Sequence, residues 1–154
     1  MDLSKLLRPE AVKVLTSASS KKRLLQDIGD LVSSAYGLNA GMVVECLMAR
    51  EALGPTGVGR GVALPHARLD GISNVMGAFV LLDKPISFDA VDQQPVDIAF
   101  ALFAPEEAGV EHLKALALVS RTLRDQAICT KLRSNPNPNT LFTILSEAQS
   151  VQAA

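Results

Sequence analysis

Tryptophan is absent from the 154-residue chain, tyrosine occurs once, and aromatics together make up only 4%. The core must therefore be built mainly from Ala, Val, Leu and Ile. The same scarcity removes the stacking platforms that single-strand nucleic-acid binders use. A basic excess is missing too. The net charge is -1, with nothing like the concentrated cationic face a nucleic-acid footprint needs. The one basic run, Lys21-Lys22-Arg23, reads as the solvated start of a helix. Cysteine is sparse: Cys46 and Cys129 lie far apart in helix-like apolar contexts, which predicts two buried thiols in a reduced compartment. No apolar run reaches the roughly 18 residues of a membrane span, and no signal-peptide pattern opens the chain. The expectation is a soluble cytoplasmic protein with no nucleic-acid partner and no membrane insertion.

What is present is 48% hydrophobic and 20% charged, a globular composition at a length that suits one domain over residues 1–154. Val12 to Thr16 reads as a short strand. Ser19 or Ser20 caps a helix to about Ala35, with Leu24, Leu25, Ile28, Leu31 and Val32 on one face and Gly37 ending it. Asn39 caps a second helix to about Leu53, broken by Gly54-Pro55. Strand-like runs follow at 62–64, 75–82, 86–88 and 96–103, with a turn expected at Asp83-Lys84-Pro85. Helices are expected from about Val110 to Leu123, from near Asp125, and from about Thr140 to Glu147, the last two separated by the loop "SNPNPNT". Helices at both ends of a central strand group predict an α/β fold: three layers, a mixed sheet with helices on both faces.

Several polar residues sit in apolar company. At 100° per residue, Val43, Cys46, Leu47 and Leu53 share a face of the second helix, and Arg50 falls in its middle. A guanidinium there needs an anion or strong acceptor. Snorkelling to solvent, a structural ion pair and anion binding all remain open for it. His112 shares a stripe with Leu116, Val119 and Leu123 in the first turn of the third helix. It is either a satisfied core residue or a site residue beside free N–H groups at a helix start. The stretch "TGVGRGVALPHAR" (56–68) places His66, one of only two histidines, just past a buried strand and after Pro65. Strand ends are common locations for sites.

The glycines Gly57, Gly59 and Gly61 permit close approach or positive φ, or form an ordinary turn. They follow a helix and precede a strand, the reverse of a Rossmann or P-loop run, so no nucleotide cofactor is expected. Two histidines 46 residues apart, even with Asp70, Asp97 or Glu111 as a third ligand, lack any paired-ligand spacing, so no metal is expected. No nucleophile elbow recommends Ser73 or Ser120. Phosphoryl transfer through histidine fits what is left. A neutral imidazole attacks phosphorus, its other nitrogen is held by an acceptor, and an arginine and a second imidazole steady the charge.

"AREALGPTGVGRGVALPHAR" resembles the active-site signature of enzyme IIA domains of the bacterial phosphotransferase system, in the mannitol/fructose/nitrogen-regulatory class. "FDAVDQQPVDIAFALFAPEEAGVEHLKALALVSRTL" resembles that family's second block, and the likeness runs from Leu3 to about Leu145. It implies that His66 is the phosphorylated histidine, Arg50 the active-site arginine, His112 the second active-site histidine and Thr56 the hydroxyl residue of the glycine loop. It implies no cofactor, and a covalent phosphohistidine of the transferase class rather than an independent turnover enzyme. It also implies an α/β fold and, as donor, the phosphocarrier HPr or its nitrogen-branch paralogue.

"PISFDAVDQQPVDIAFALFAPEE" is most similar to the nitrogen-regulatory type, which regulates partners such as kinases and transport proteins by phosphorylation state. A sugar-specific IIA handing phosphate to a separate IIB protein is the alternative, and a non-phosphorylated interaction module on the same scaffold is a third. Two positions depart from the pattern: Pro55 stands where Ser is common, and Arg60 where Asn or Gly is common. Arg60 is expected at the rim of the site, where an extra cation would alter docking.

Overall fold

The local signals before each helix act as expected. In the computed structural model, which describes residues 2–153 and the side chains of 2–148, the Ser20 hydroxyl accepts from Arg23 N at the start of α2 (Lys21–Tyr36). The Asn39 side chain accepts from Met42 N at the start of α3 (Ala40–Leu53). These bonds satisfy N–H groups that have no partner inside the helix. Gly37 closes α2 in the left-handed region, at φ 75°, where glycine carries no steric penalty. Leu24, Leu25, Ile28, Leu31 and Val32 form the buried face of α2.

Preceding them are α1 (Leu3–Leu6) and β1 (Leu7–Leu15); following them are β2 (Gly57–Gly59), β3 (Val62–Ala63), β4 (His66–Leu69), β5 (Met76–Ile86) and β6 (Val96–Pro105). Then come α4 (Val110–Leu123), α5 (Gln126–Arg133) and α6 (Pro138–Ala153). The sheet is mixed, in the order β1-β5-β6-β3-β2, with β4 also on β6. β5 and β6 are antiparallel at its centre; β1 joins β5, and β3 and β4 join β6, in parallel.

Every residue of 77–82 and 98–104 is buried, the mark of strands covered on both faces. One cover is α2 with α3, the other α1, α4, α5 and α6; each group packs internally and onto the sheet. Phe79, Phe88, Phe100 and Phe103 are fully buried, and the Phe79 and Phe100 rings meet edge-on. No helix among the described residues is long and apolar enough to cross a membrane.

Four expectations are corrected. β1 begins at Leu7 rather than Val12; it is an edge strand, so Pro9 fits there, and its register slips between Leu7 and Val12. The expected turn at 83–85 is instead continuous β5, irregular between Leu81 and Ile86. β1 stops opposite Leu82, so Pro85 deprives β1 of no donor. α6 starts at Pro138, not Thr140, because the Asn137 side chain accepts from Thr140 N, leaving Pro138 in the first helical position. Lys21 is not simply solvated: its side chain is 21% exposed and pairs with Glu51 at 2.9 Å.

Candidate functional site

The site is built where β6 passes two short strands in succession. β3 pairs with β6 at Ile98 and Ala99, β4 at Leu102 to Pro105. Between them Leu64 and Pro65 belong to neither strand, though Pro65 O still accepts from Leu102 N at 3.0 Å. Pro65 has no N–H, and it holds the preceding residue extended. Leu64 N–H donates to Thr56 O at 3.0 Å, and the Leu64 carbonyl faces the His66 ring, with Nδ1 at 2.9 Å. A carbonyl has no proton to give, so Nδ1–H donates to it. The other ring nitrogen, Nε2, accepts from Arg50 Nε–H at 3.2 Å. His66 is thus a neutral imidazole with its lone pair on Nε2.

Arg50 comes from the last turn of α3, where its Nη1 also donates to Gly54 O at 3.0 Å. The buried stripe of this helix is Val43, Leu47 and Glu51. The face holding Cys46, Arg50 and Leu53 lines an open cavity of about 520 Å³ together with His66, Arg68 and His112. Leu53, expected in the core, is 84% exposed, and Cys46 is half-buried rather than buried. Burial, followed by Glu45 and Glu106, pushes the Cys46 thiol up, so it stays a thiol at neutral pH.

His112 is buried in the first turn of α4, whose N-terminus no side chain caps. Its ring meets the His66 ring edge-on, centroids 5.6 Å apart at 70°. Burial first, then His66 and Arg68, hold its pKa below the usual histidine value. It is therefore neutral at pH 7, and its Nε2 is buried without a hydrogen-bond partner among the described residues.

Arg50, His66 and His112 therefore converge, and Thr56 does not join them. Its hydroxyl donates to Glu51 Oε2 and its N–H to Glu51 Oε1. Arg60 also lies elsewhere, at the tip of the β2–β3 hairpin, where Asp97 N donates to Gly61 O. Two residues went unremarked in the sequence. Glu51 is buried although charged. Arg68 alternates with His66 on β4, lines the cavity, and donates to the carbonyls of Glu106 and Ala108, strapping down the approach to α4. Its signal would have been period two along β4, hidden because Pro65 made the strand look finished.

Residues 5–148 match the family described as phosphoenolpyruvate-dependent sugar phosphotransferase system, EIIA 2. The chain is 43% identical over 146 residues to a nitrogen regulatory protein of Bradyrhizobium diazoefficiens, covering 95% of each. It is 37% identical to the nitrogen regulatory protein of Escherichia coli K12, covering 97% of this chain and 92% of that protein. The crystal structure of nitrogen regulatory protein IIA-Ntr from Neisseria meningitidis superposes with a TM-score of 0.85 at 37% identity, over 93% of this chain and 98% of that one.

Proposed function

Since the chain belongs to the EIIA 2 family of the phosphotransferase system, we propose that it is a regulatory phosphocarrier whose His66 takes a phosphoryl group from an HPr-like phosphocarrier protein. The observation that carries this is the contact made by each ring nitrogen of His66, which selects one tautomer. Nδ1–H is committed to Leu64 O, and the lone pair sits on Nε2 beside a guanidinium. The Nε2 lone pair forms the new N–P bond. The donor's N–P bond breaks, and its electron pair returns to the donor imidazole. No proton has to leave Nε2, because none is there.

As the lone pair is consumed, Arg50 Nε–H turns from Nε2 to a phosphoryl oxygen. Its charge is worth most where the transferring group is most spread. The His112 ring, edge-on to His66, lines the same cavity beside the incoming group. Among the described residues, the cavity lining holds no carboxylate to repel the group. Thr56 is assigned no phosphoryl contact, since Glu51 takes its hydroxyl.

The relatives at 37–43% identity are nitrogen regulatory proteins, which favours control of partner proteins over a sugar-specific hand-off to a IIB protein. An intact trio of Arg50, His66 and His112 favours chemistry over a silent interaction module. Incubation with phosphoenolpyruvate and the two general phosphotransferase proteins should add the mass of one phosphoryl group. His66→Ala should add none. Acid-labile phosphate gained by His66→Ala at the normal rate refutes the assignment.

A further inference from the structure

We infer that Glu51 is a positioning residue for this transfer: one buried carboxylate fixes both the tautomer of His66 and the placement of Arg50. The inference rests on the phosphocarrier reading above. Glu51 is 8% exposed in the last turn of α3. A carboxylate is poorly placed there, since burial disfavours its charge and the helix dipole is negative at that end. It is held by Lys21 Nζ at 2.9 Å and by two donors from Thr56. Lys21 itself is braced over the Phe88 ring at 4.5 Å.

Two bonded paths leave Glu51. Along the first, Glu51 fixes Thr56, Thr56 O accepts from Leu64 N at 3.0 Å, and Leu64 O accepts from His66 Nδ1 at 2.9 Å. Along the second, the segment 54–56 is pinned at both ends by the same residue. Gly54 N donates to Glu51 O at 3.1 Å, while Glu51 holds Thr56. Gly54 O then takes Arg50 Nη1 at 3.0 Å, leaving Arg50 Nε to reach His66. The Thr56 hydroxyl thus acts on the phosphoryl acceptor through Glu51 and the backbone, without touching the transferred group. If the loop loosens, Leu64 O loses its hold on Nδ1–H, and the proton redistributes between the ring nitrogens.

The test uses Thr56→Val, which removes the hydroxyl at nearly constant volume, and Glu51→Gln, with Thr56→Ser as the conservative rescue. His66 tautomer populations are read from ring ¹⁵N NMR, and transfer rates from titration with phosphorylated donor. Both disruptive variants should move His66 to a mixed tautomer. Both should also lower the maximal transfer rate by roughly 10- to 100-fold with donor KM within about threefold, the pattern of misplaced groups on an intact docking face. Thr56→Ser should restore both readings. If Glu51→Gln fails to fold, Thr56→Val carries the test. Wild-type tautomer populations in the folded variants overturn the inference, and so does a Thr56→Ser protein as slow as Thr56→Val. A wild-type protein that takes no phosphate sinks the phosphocarrier reading instead, and the tautomer measurement still judges Glu51.

Discussion

Arg50 touches two acceptors, Gly54 O and His66 Nε2, and neither is deeply buried. Removing such bonds costs a fold on the order of 1 kcal/mol each. Losing a charge that stabilises a transferring phosphoryl group costs roughly 10²–10³ in rate. Arg50→Ala should therefore slow transfer by that factor while shifting the urea midpoint only modestly; a large stability loss with intact transfer would make it a structural residue. His112 adds a pH dependence. Its folded pKa lies below the ordinary histidine value of about 6.5, chiefly through burial, with His66 and Arg68 adding to it. Unfolding therefore takes up a proton as pH falls below about 6.5, and stability drops from there down to the depressed folded value, then levels. His112→Gln should flatten that part of the stability–pH curve. An unchanged slope between pH 7.5 and 5 would show that other groups cause it.

The β2–β3 hairpin separates what the chain announces locally from what it does not. Its two-residue turn is Arg60-Gly61, with φ at 57° and 81°, the left-handed pair of a type I′ turn, which favours Asn-Gly. Glycine suits position 61 because its φ lies in the left-handed region, and a Cβ there would also push on the side-chain ends of Arg133 and Asp97, at 2.6 and 2.9 Å. Arg60 is tolerated at some cost. The tip is level with Asp97 on β6, whereas His66 pairs with Leu102, about 16 Å further along at strand rise. The expected rim cation is thus at the other end of the sheet. Arg60→Asn should stabilise the protein by about 0.5–1 kcal/mol, a melting-temperature rise of roughly 1–4 °C, and leave the transfer rate unchanged; a changed rate would restore Arg60 to the docking surface.

Caps at Ser20 and Asn39 were readable because each bond closes within three residues. β2 and β4 were not, because strands of three and four residues exist only through partners 35 or more positions away or through the hairpin itself. The periodicity of α3 grouped Cys46, Arg50 and Leu53 correctly but assigned their face to the core. Which face is buried depends on Lys21 and Thr56, brought to Glu51 from other segments.

How phosphorylation of His66 would reach partners follows from how firmly that residue is held. His66 lies on a four-residue strand paired along its length with β6, and β6 from 98 to 104 is buried. Interiors packed that densely deform little. The cavity meanwhile already presents Arg50, Arg68 and His112 to an incoming anion. A phosphoryl group adds close to two negative charges. Local cations receive them, so the domain has no electrostatic reason to rearrange. The mouth of the cavity carries exposed apolar side chains, Leu53 at 84% and Leu113 at 66%, the kind of surface a docking partner would cover by excluding water. A partner that docks on the neutral form must then desolvate the added charge, and its affinity should fall by at least about 1–3 kcal/mol, roughly 5- to 150-fold. A partner with its own cation for the phosphate gains instead. Amide NMR of the two forms should confine large shifts to segments 50–56, 64–68 and 106–113, sparing β1, α5 and α6. Shifts spread through the whole sheet would replace this local charge switch with a conformational one, and equal partner affinity for both forms would remove the switch altogether.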